Sequence, residues 1–237
     1  MIDLVTKDSV RDFHEKRFAH SKARESILLD VLKERGVVTG GDCIRVLDEE
    51  ETNFGVDVWN TTTGTPLFDL KLQSTLFVPP KAPLPGKPWD YYYLKESQLK
   101  KYIAQDAGLS VWIFHLFIGE TKQTTQDLID GFWKRRCLGE QTYEELPTKV
   151  DCATFGVNHL EKLWKSNKIH IQTIPQDLRY IYSRDPNWDG NLLFIHKALG
   201  VQMNLLDAWI KLPVAKQRQV LSVTGRDLQE SWTDGWL

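Results

Sequence analysis

The run Phe68-Asp69-Leu70-Lys71-Leu72-Gln73 constrains this chain more than any other. Apolar and polar residues alternate strictly along it, which is the period of a strand. Strand side chains point alternately to opposite faces, so Phe68, Leu70 and Leu72 share one face and Asp69, Lys71 and Gln73 the other. The fold must bury the first set and still accept a carboxylate, an ammonium and an amide on the second. Upstream, Gly55-Val56-Asp57 opens another extended stretch, and Thr61-Thr62-Thr63-Gly64-Thr65-Pro66 between the two is rich in turn residues. The layout predicts strands over 54–60 and 67–74, with Asp57 on the first and Asp69 and Lys71 on the second.

The flanking sequence supplies partners for such a pair. Residues 8–36 carry a helical pattern in which Ile27, Leu28, Val31 and Leu32 form an apolar stripe. Ser21 is a capping residue for its strongest part, and Gly36 is placed to end it. Glu25 falls at the edge of the stripe. It reads either as a surface carboxylate favouring the helix N-terminus or as a third acidic ligand brought to the sheet. His14 and His20 read as surface or capping residues. A short strand or extended stretch with a turn covers 37–42, a strand 43–47, and an acidic hairpin tip 48–53. Residues 79–88 hold five of the chain's ten prolines and form a stiff loop of polyproline character. Trp89-Asp90-Tyr91-Tyr92-Tyr93 leads into a helix over 94–104, where Gln98 and Tyr102 share a face four residues apart. A hydrophobic strand over 109–118 follows, turned by Gly119-Glu120. The order to residue 118 is therefore helix, three strands, helix, strand.

Beyond residue 120 the pattern predicts helices over 125–137, ending in Lys134-Arg135-Arg136, and over 157–166. A strand is expected over 169–174, then two or three helices over 190–222 broken at Pro213. Trp232 and Trp236 lie in the tail. The expected fold class is α/β, a mixed sheet flanked by helices, with a helical C-terminal extension.

Bulk composition narrows the function classes. At 237 residues, with 41% hydrophobic and 26% charged residues, the chain has an ordinary globular composition. The start is too short and mixed to resemble a signal peptide. The longest apolar run, 111–118, holds a histidine and falls short of the roughly 18 residues a membrane helix needs. Cys43, Cys137 and Cys152 lack the spacing of a zinc site and read as reduced thiols, so the expected location is cytoplasmic. A net charge of −2 offers no global basic footprint.

Two aspartates and a lysine on neighbouring strands suit phosphodiester hydrolysis. That reaction needs an activated water and stabilisation of charge on the phosphoryl and leaving oxygens, both of which Mg²⁺ supplies. Magnesium takes hard oxygen ligands and keeps several waters, so two or three carboxylates suffice. Adjacent strands lie about 4.8 Å apart, so Asp57 and Asp69 can meet on one ion, with the Leu70 backbone carbonyl as a further ligand. Lys71 emerges beside Asp69, where it would position the attacking water or offset charge. The residues equally suit two acids and a lysine on a solvent-facing sheet.

Gly55-Val56-Asp57, Asp69-Leu70-Lys71 and Gln98-Leu99-Lys100-Lys101-Tyr102, in that order, resemble the PD-(D/E)xK nuclease superfamily. The resemblance is to its RecB-type and lambda-exonuclease-like branch, with a G-x-D strand, a D/E-x-K strand and a Q-x-x-x-Y helix. It covers roughly residues 21–118. Val56 stands where the family has proline, the spacer from Lys71 to Gln98 is long and proline-rich, and no cysteine cluster suggests an iron–sulfur site.

The resemblance implies a restriction-endonuclease-like core over 1–120, with a mostly helical part over 121–237 packed on it. It implies a Mg²⁺- or Mn²⁺-dependent DNA nuclease of restriction, recombination or repair type, with endonuclease favoured over exonuclease. Asp57 and Asp69 would hold the metal with Glu25, and Lys71 would be the catalytic lysine. Gln98 and Tyr102 would lie beside them, against the lysine, the water or the DNA backbone. Gln73, Lys95, Lys100 and Lys101 are candidate DNA contacts, as are Lys22, Arg24 and the 134–136 basic run. For each basic residue a solvated face is the alternative. Trp89 and Tyr91 to Tyr93 are placed to stack on bases or to anchor the loop. The expected partner is DNA, no membrane is expected, and a second copy of the chain is left open. The alternative function is a non-catalytic nucleic-acid or protein interaction module retaining a nuclease-like core. A third is an unrelated α/β protein with an accidental motif.

Overall fold

A computed structural model describes residues 21–47, 56–73, 90–105, 108–117, 147, 149–179, 185 and 187–222. Several expectations lie outside these residues: the helix before residue 21 with His14 and His20, the acidic tip at 48–53, Gly55, the proline-rich loop with Trp89, the turn at 119–120, the helix over 125–137 with Cys137, and the tail beyond 222.

Two sheets organise the described chain. The larger has six strands in the order β1 (Ile44–Val46), β2 (Val58–Asn60), β3 (Thr65–Gln73), β5 (Ser110–Phe117), β6 (Lys149–Gly156) and β9 (Val201–Asn204). Its neighbours are antiparallel except β3 and β5, which run parallel from Phe68 opposite Ser110 to Gln73 opposite His115. A parallel pair needs a crossover. Here the crossover contains β4 (Tyr91–Lys95) and helix α2 (Glu96–Gln105). The smaller sheet is antiparallel, with β8 (Asn191–His196) between β4 and β7 (His170–Thr173).

Each half of the motif region forms for a local reason. Helix α1 (Ser21–Glu34) stops where Gly36 takes φ 75°. There Gly36 N–H donates to the Lys33 carbonyl at 2.9 Å and Val37 N–H to the Leu32 carbonyl at 3.1 Å, the pattern of a left-handed C-cap. The β2–β3 hairpin turns through residues 61–64. Asn60 Oδ1 accepts from Thr62 N at 3.0 Å and Thr63 N at 3.1 Å, while Gly64 supplies φ 63°. Pairing then slips by one residue between Val58/Phe68 and Trp59/Pro66, a bulge that bends the hairpin beside Asp57.

Apolar residues on the two faces of the large sheet build two cores. On one face Phe68, Leu70, Phe114, Val150 and Cys152 pack with Ile27, Leu28, Val31 and Leu32 of α1. Trp209 of the short helix α4 (Leu206–Trp209) and Val220 of α5 (Val214–Ser222) join them. On the other face Val111, Ile113, Ala153 and Phe155 meet Leu99 and Tyr102 of α2 and Leu160 and Leu163 of α3 (Val157–Lys165), with Tyr92, Leu94, Leu193 and Ile195 of the small sheet. The result is α/β with a mixed sheet flanked by helices.

The structure corrects several expectations. Asp57 does not lie within a strand but directly precedes β2. Residues 37–42 hold no strand; a 3₁₀ turn, Gly41–Cys43, precedes β1. An additional strand, β4, stands between β3 and α2. Among the described residues the C-terminal part also contributes strands: β6 and β9 extend the large sheet, and 190–204 forms β8 and β9 rather than helices. The four residues Leu192 to Ile195 are all buried. A continuous apolar run lacks the two-residue alternation that marks a half-exposed strand, so periodicity alone does not separate it from a buried helix. Cys43 is exposed and Cys152 buried, and both are free thiols. Among the described residues no helix is long and apolar enough to cross a membrane.

Leu28 is fully buried among α1 and the sheet. Leu28→Ala leaves a cavity between rigid neighbours and is expected to lower unfolding free energy by about 2–5 kcal/mol. Urea denaturation of the variant against the parent measures this.

Candidate active site

Asp57, Asp69, Lys71, Glu25 and Tyr102 come together from β3, α1, α2 and the residue that precedes β2. Asp57 is held at both ends. Its backbone carbonyl accepts from Leu47 N–H at 3.0 Å, and its Oδ2 accepts from Leu70 N–H at 3.1 Å. Strand β2 starts at Val58, so this side chain takes over where the ladder would continue. The N–H and C=O of one strand residue face the same neighbour, which turns the Leu70 carbonyl toward Asp57 as well. Asp57 Oδ1 accepts from Lys22 Nζ at 2.8 Å.

Asp69 sits on the opposite face from Phe68 and Leu70, with 1% of its surface exposed. Its Oδ2 receives Lys71 Nζ at 2.6 Å and the Tyr102 hydroxyl at 2.6 Å. Its Oδ1 is buried with no hydrogen-bond partner. Lys71 Nζ also stands 3.8 Å from Asp57 Oδ2. Tyr102 reaches the sheet because α2 is tied at its start. There Asn191 Nδ2 of β8 donates to Glu96 Oε2 at 2.6 Å, and Leu99 is buried one turn before Tyr102. From the opposite layer, Lys22 and Glu25 project from the N-terminal part of α1. Lys22 Nζ lies 3.2 Å from Glu25 Oε2, an ion pair by charge alone, since that oxygen takes no hydrogen bond.

The electrostatics separate the carboxylates. Burial pushes the Asp57 carboxyl up, but the charges of Lys71 and Lys22 and the bonds it accepts outweigh burial and hold it below the ordinary range. Burial, reinforced by the Asp57 charge, keeps Asp69 well above that range despite Lys71. Burial and the Asp57 charge raise Glu25 to about 7. Burial alone would lower Lys71, yet Asp69, Tyr102 and Asp57 lift it well above a free lysine. Lys22 is raised too, Asp57 and Glu25 outweighing its burial. Both ammoniums therefore keep their protons at neutral pH. Two neighbouring carboxyls whose affinities for protons are driven apart form a pattern suited to acid–base chemistry.

The oxygen-rich donor set is the kind that hard cations such as Mg²⁺ or Mn²⁺ take. Among the described residues no three His, Cys, Asp or Glu side chains form a ready metal-holding group. Lys22 lies instead between Asp57 and Glu25, and Lys71 lies on Asp69. The unpartnered Asp69 Oδ1 is the one buried acceptor of the pair still available to a cation. Asp57, Asp69, the Leu70 carbonyl and Glu25 are the groups that would hold one.

The remaining candidates lie outside this contact network. Gln98 is half-buried one turn before Tyr102, and its side chain makes no hydrogen bond among the described residues. Gln73 ends β3 opposite His115. Lys100 pairs with Glu96 at 3.0 Å and stands over the Trp164 ring at 5.8 Å, Lys95 stands over the Trp188 ring at 5.2 Å, and Lys101 is exposed. Arg24, expected as a DNA contact or on a solvated face, is buried, and Lys22, given the same two readings, belongs to the carboxylate cluster. Tyr91 and Tyr92 are fully buried strand residues, so neither offers a ring for stacking. His115 was legible in the sequence only as the lone ionisable residue in an apolar run. It shares the face of Asp69 and Lys71, 1% exposed, with the Tyr92 ring 6.0 Å away and Asp151 opposite on β6. No family model, no curated protein and no solved structure matches this chain.

Two outcomes test the electrostatics. Tyr102→Phe removes a donor from a buried carboxylate and is expected to cost about 1–3 kcal/mol of stability, read as a shift in urea midpoint. For His115, burial and then the Lys197 and Lys149 charges lower its pKa to about 3. The unfolded chain takes the proton first, at about pH 6.5. Stability is therefore full above that pH and is lost as pH falls toward 3, with a slope of about 1.4 kcal/mol per pH unit from this group. Urea midpoints between pH 7.5 and 5 are expected to fall less steeply for His115→Gln than for the parent.

Proposed function

We propose that this chain is a metal-dependent DNA nuclease that hydrolyses phosphodiester bonds, with endonuclease favoured over exonuclease. The observation that carries the reading is the meeting of Asp57, Asp69 and Lys71 in one cluster, with Tyr102 and Glu25 at its sides. Side chains pointing to different faces would have excluded it. The succession α1, β1, β2, β3, α2, β5, with β3 parallel to β5, supports reading these elements as a restriction-endonuclease-like core, into which β4 is inserted.

A Mg²⁺ or Mn²⁺ ion held by Asp57, Asp69 and the Leu70 carbonyl would polarise the phosphoryl oxygens and make bound water a stronger acid. The chain's own groups prepare the rest. Tyr102 orients Asp69 through its hydroxyl. Leu70 N–H orients Asp57. Lys71, protonated and partly exposed, offers a cation and a proton donor where charge develops on a phosphate. Lys101 and Lys100, on the exposed side of α2, supply positive charge nearby for a DNA backbone.

A second reading, a non-catalytic module retaining this core, is favoured by one observation: Lys22 and Lys71 already neutralise the carboxylates without a metal. Linear, circular and branched DNA incubated with Mg²⁺, Mn²⁺ or EDTA separates the two. The nuclease reading expects cleavage only with metal, and a loss on the order of 10²–10⁴-fold for Lys71→Ala, with Asp69→Ala at least as impaired. Cleavage that persists in EDTA, or in both variants, would sink this site. Fragment sizes from circular DNA distinguish endonuclease from exonuclease.

A further inference from the structure

The first turns of α1 bring a cation to the carboxylate cluster that the motif itself does not contain. Lys22 Nζ is 2.8 Å from Asp57 Oδ1 and 3.2 Å from Glu25 Oε2. Lys22 and Glu25 stand three positions apart on one helix face, so both heads approach the same point. The ammonium is thus seated between the two carboxylates, with its side chain 23% exposed. Two-metal phosphodiesterases hold their ions about 3.5–4 Å apart, and each ion takes carboxylate oxygens at about 2.1 Å. A divalent ion bridging Glu25 and Asp57 at that distance would need the space Lys22 Nζ fills.

Two buried carboxylate oxygens of the cluster lack a hydrogen-bond partner among the described residues, Glu25 Oε2 and Asp69 Oδ1. Lys22 Nζ already stands 3.2 Å from the first; the second belongs to a residue with 1% exposure. Asp57 Oδ2 accepts from Leu70 N–H at 3.1 Å and stands 3.8 Å from Lys71 Nζ. Charge agrees with this division. Even with all three carboxyls ionised, the two ammoniums would leave no more than one net negative charge, which one divalent ion more than neutralises. A second would bring further uncompensated positive charge into a largely buried site.

We propose that Lys22 fills the cation subsite between Glu25 and Asp57, so that the centre takes a single divalent ion, on the side of Asp69. This rests on the metal-dependent reading above. Lys22 is then a positioning residue: it holds Asp57 and Glu25 in place and limits the metal stoichiometry to one.

Calorimetric titration of Mn²⁺ into the full chain without DNA tests it, with the far-ultraviolet circular dichroism of each variant as the fold control. The parent is expected to bind one Mn²⁺. Lys22→Met, with Lys22→Gln as the second neutral variant, is expected to bind two, and Lys22→Arg, which keeps the charge, one. Two ions in the parent, or a single ion with unchanged affinity in both folded neutral variants, would overturn the proposal and leave the metal-dependent reading standing. The parent's stoichiometry alone retains this power if the neutral variants do not fold. Absence of Mn²⁺ binding by the parent and all variants overturns the metal-dependent reading itself.

Discussion

A carboxylate cannot be taken out of water unless something meets its charge, and Asp69 is the place where this fold meets that demand. Left alone in the interior it would cost several kcal/mol. It is tolerable because Lys71 on the same strand and Tyr102 on α2 both donate to Oδ2. The Tyr102 contact requires β3 and α2 to hold one relative position. The parallel pairing of β3 with β5, the crossover that carries α2, and the tie from Glu96 to Asn191 of the small sheet all serve that position. A sheet whose one face is largely apolar under α1 can carry this polar centre on its other face without losing its core.

Asp57 shows a different solution to the same problem. It sits where β2 stops, and its side chain completes a ladder that its backbone no longer extends. The adjacent bulge and the short strand leave the carboxylate at an end of the hairpin, where a helix from the opposite layer reaches it. The two aspartates thus meet although they come from different positions in the pleat, one beyond the end of its strand and one within it. Their surroundings push their proton affinities in opposite directions, because Asp57 faces two ammoniums while Asp69 is more deeply buried beside another carboxylate.

Much of this was legible in the sequence. The two-residue alternation over 68–73 assigned Leu70 to the core and Asp69 to the other face, since a strand admits no other arrangement of adjacent side chains. The apolar stripe of Ile27, Leu28, Val31 and Leu32 and the glycine at 36 marked α1 and its end. The four-residue spacing of Gln98 and Tyr102 put them on one side of α2, though only Tyr102 reaches Asp69. The strands of the C-terminal half were harder. The run at 192–195 is buried throughout in the small sheet, and burial on every side erases the periodicity by which strands are recognised. β6 escaped notice altogether, although Val150, Cys152, Ala153 and Phe155 line the two cores.

Lys22 marks the boundary between the two sources of information. By itself the sequence determined the local alternatives: which residues alternate, where helices end, and which residue types stand close in the chain. It assigned Lys22 to a basic helix face, because a lysine near a helix start is ordinarily solvated. Only the tertiary structure decided that this face lies against Asp57, 35 residues away, and so turned a surface lysine into the counter-ion of a buried acid. Charge in water is cheap wherever it falls, and local pattern is enough to describe it. Charge in the interior is set by whichever distant group the fold brings within about 3 Å, and no local pattern records that distance.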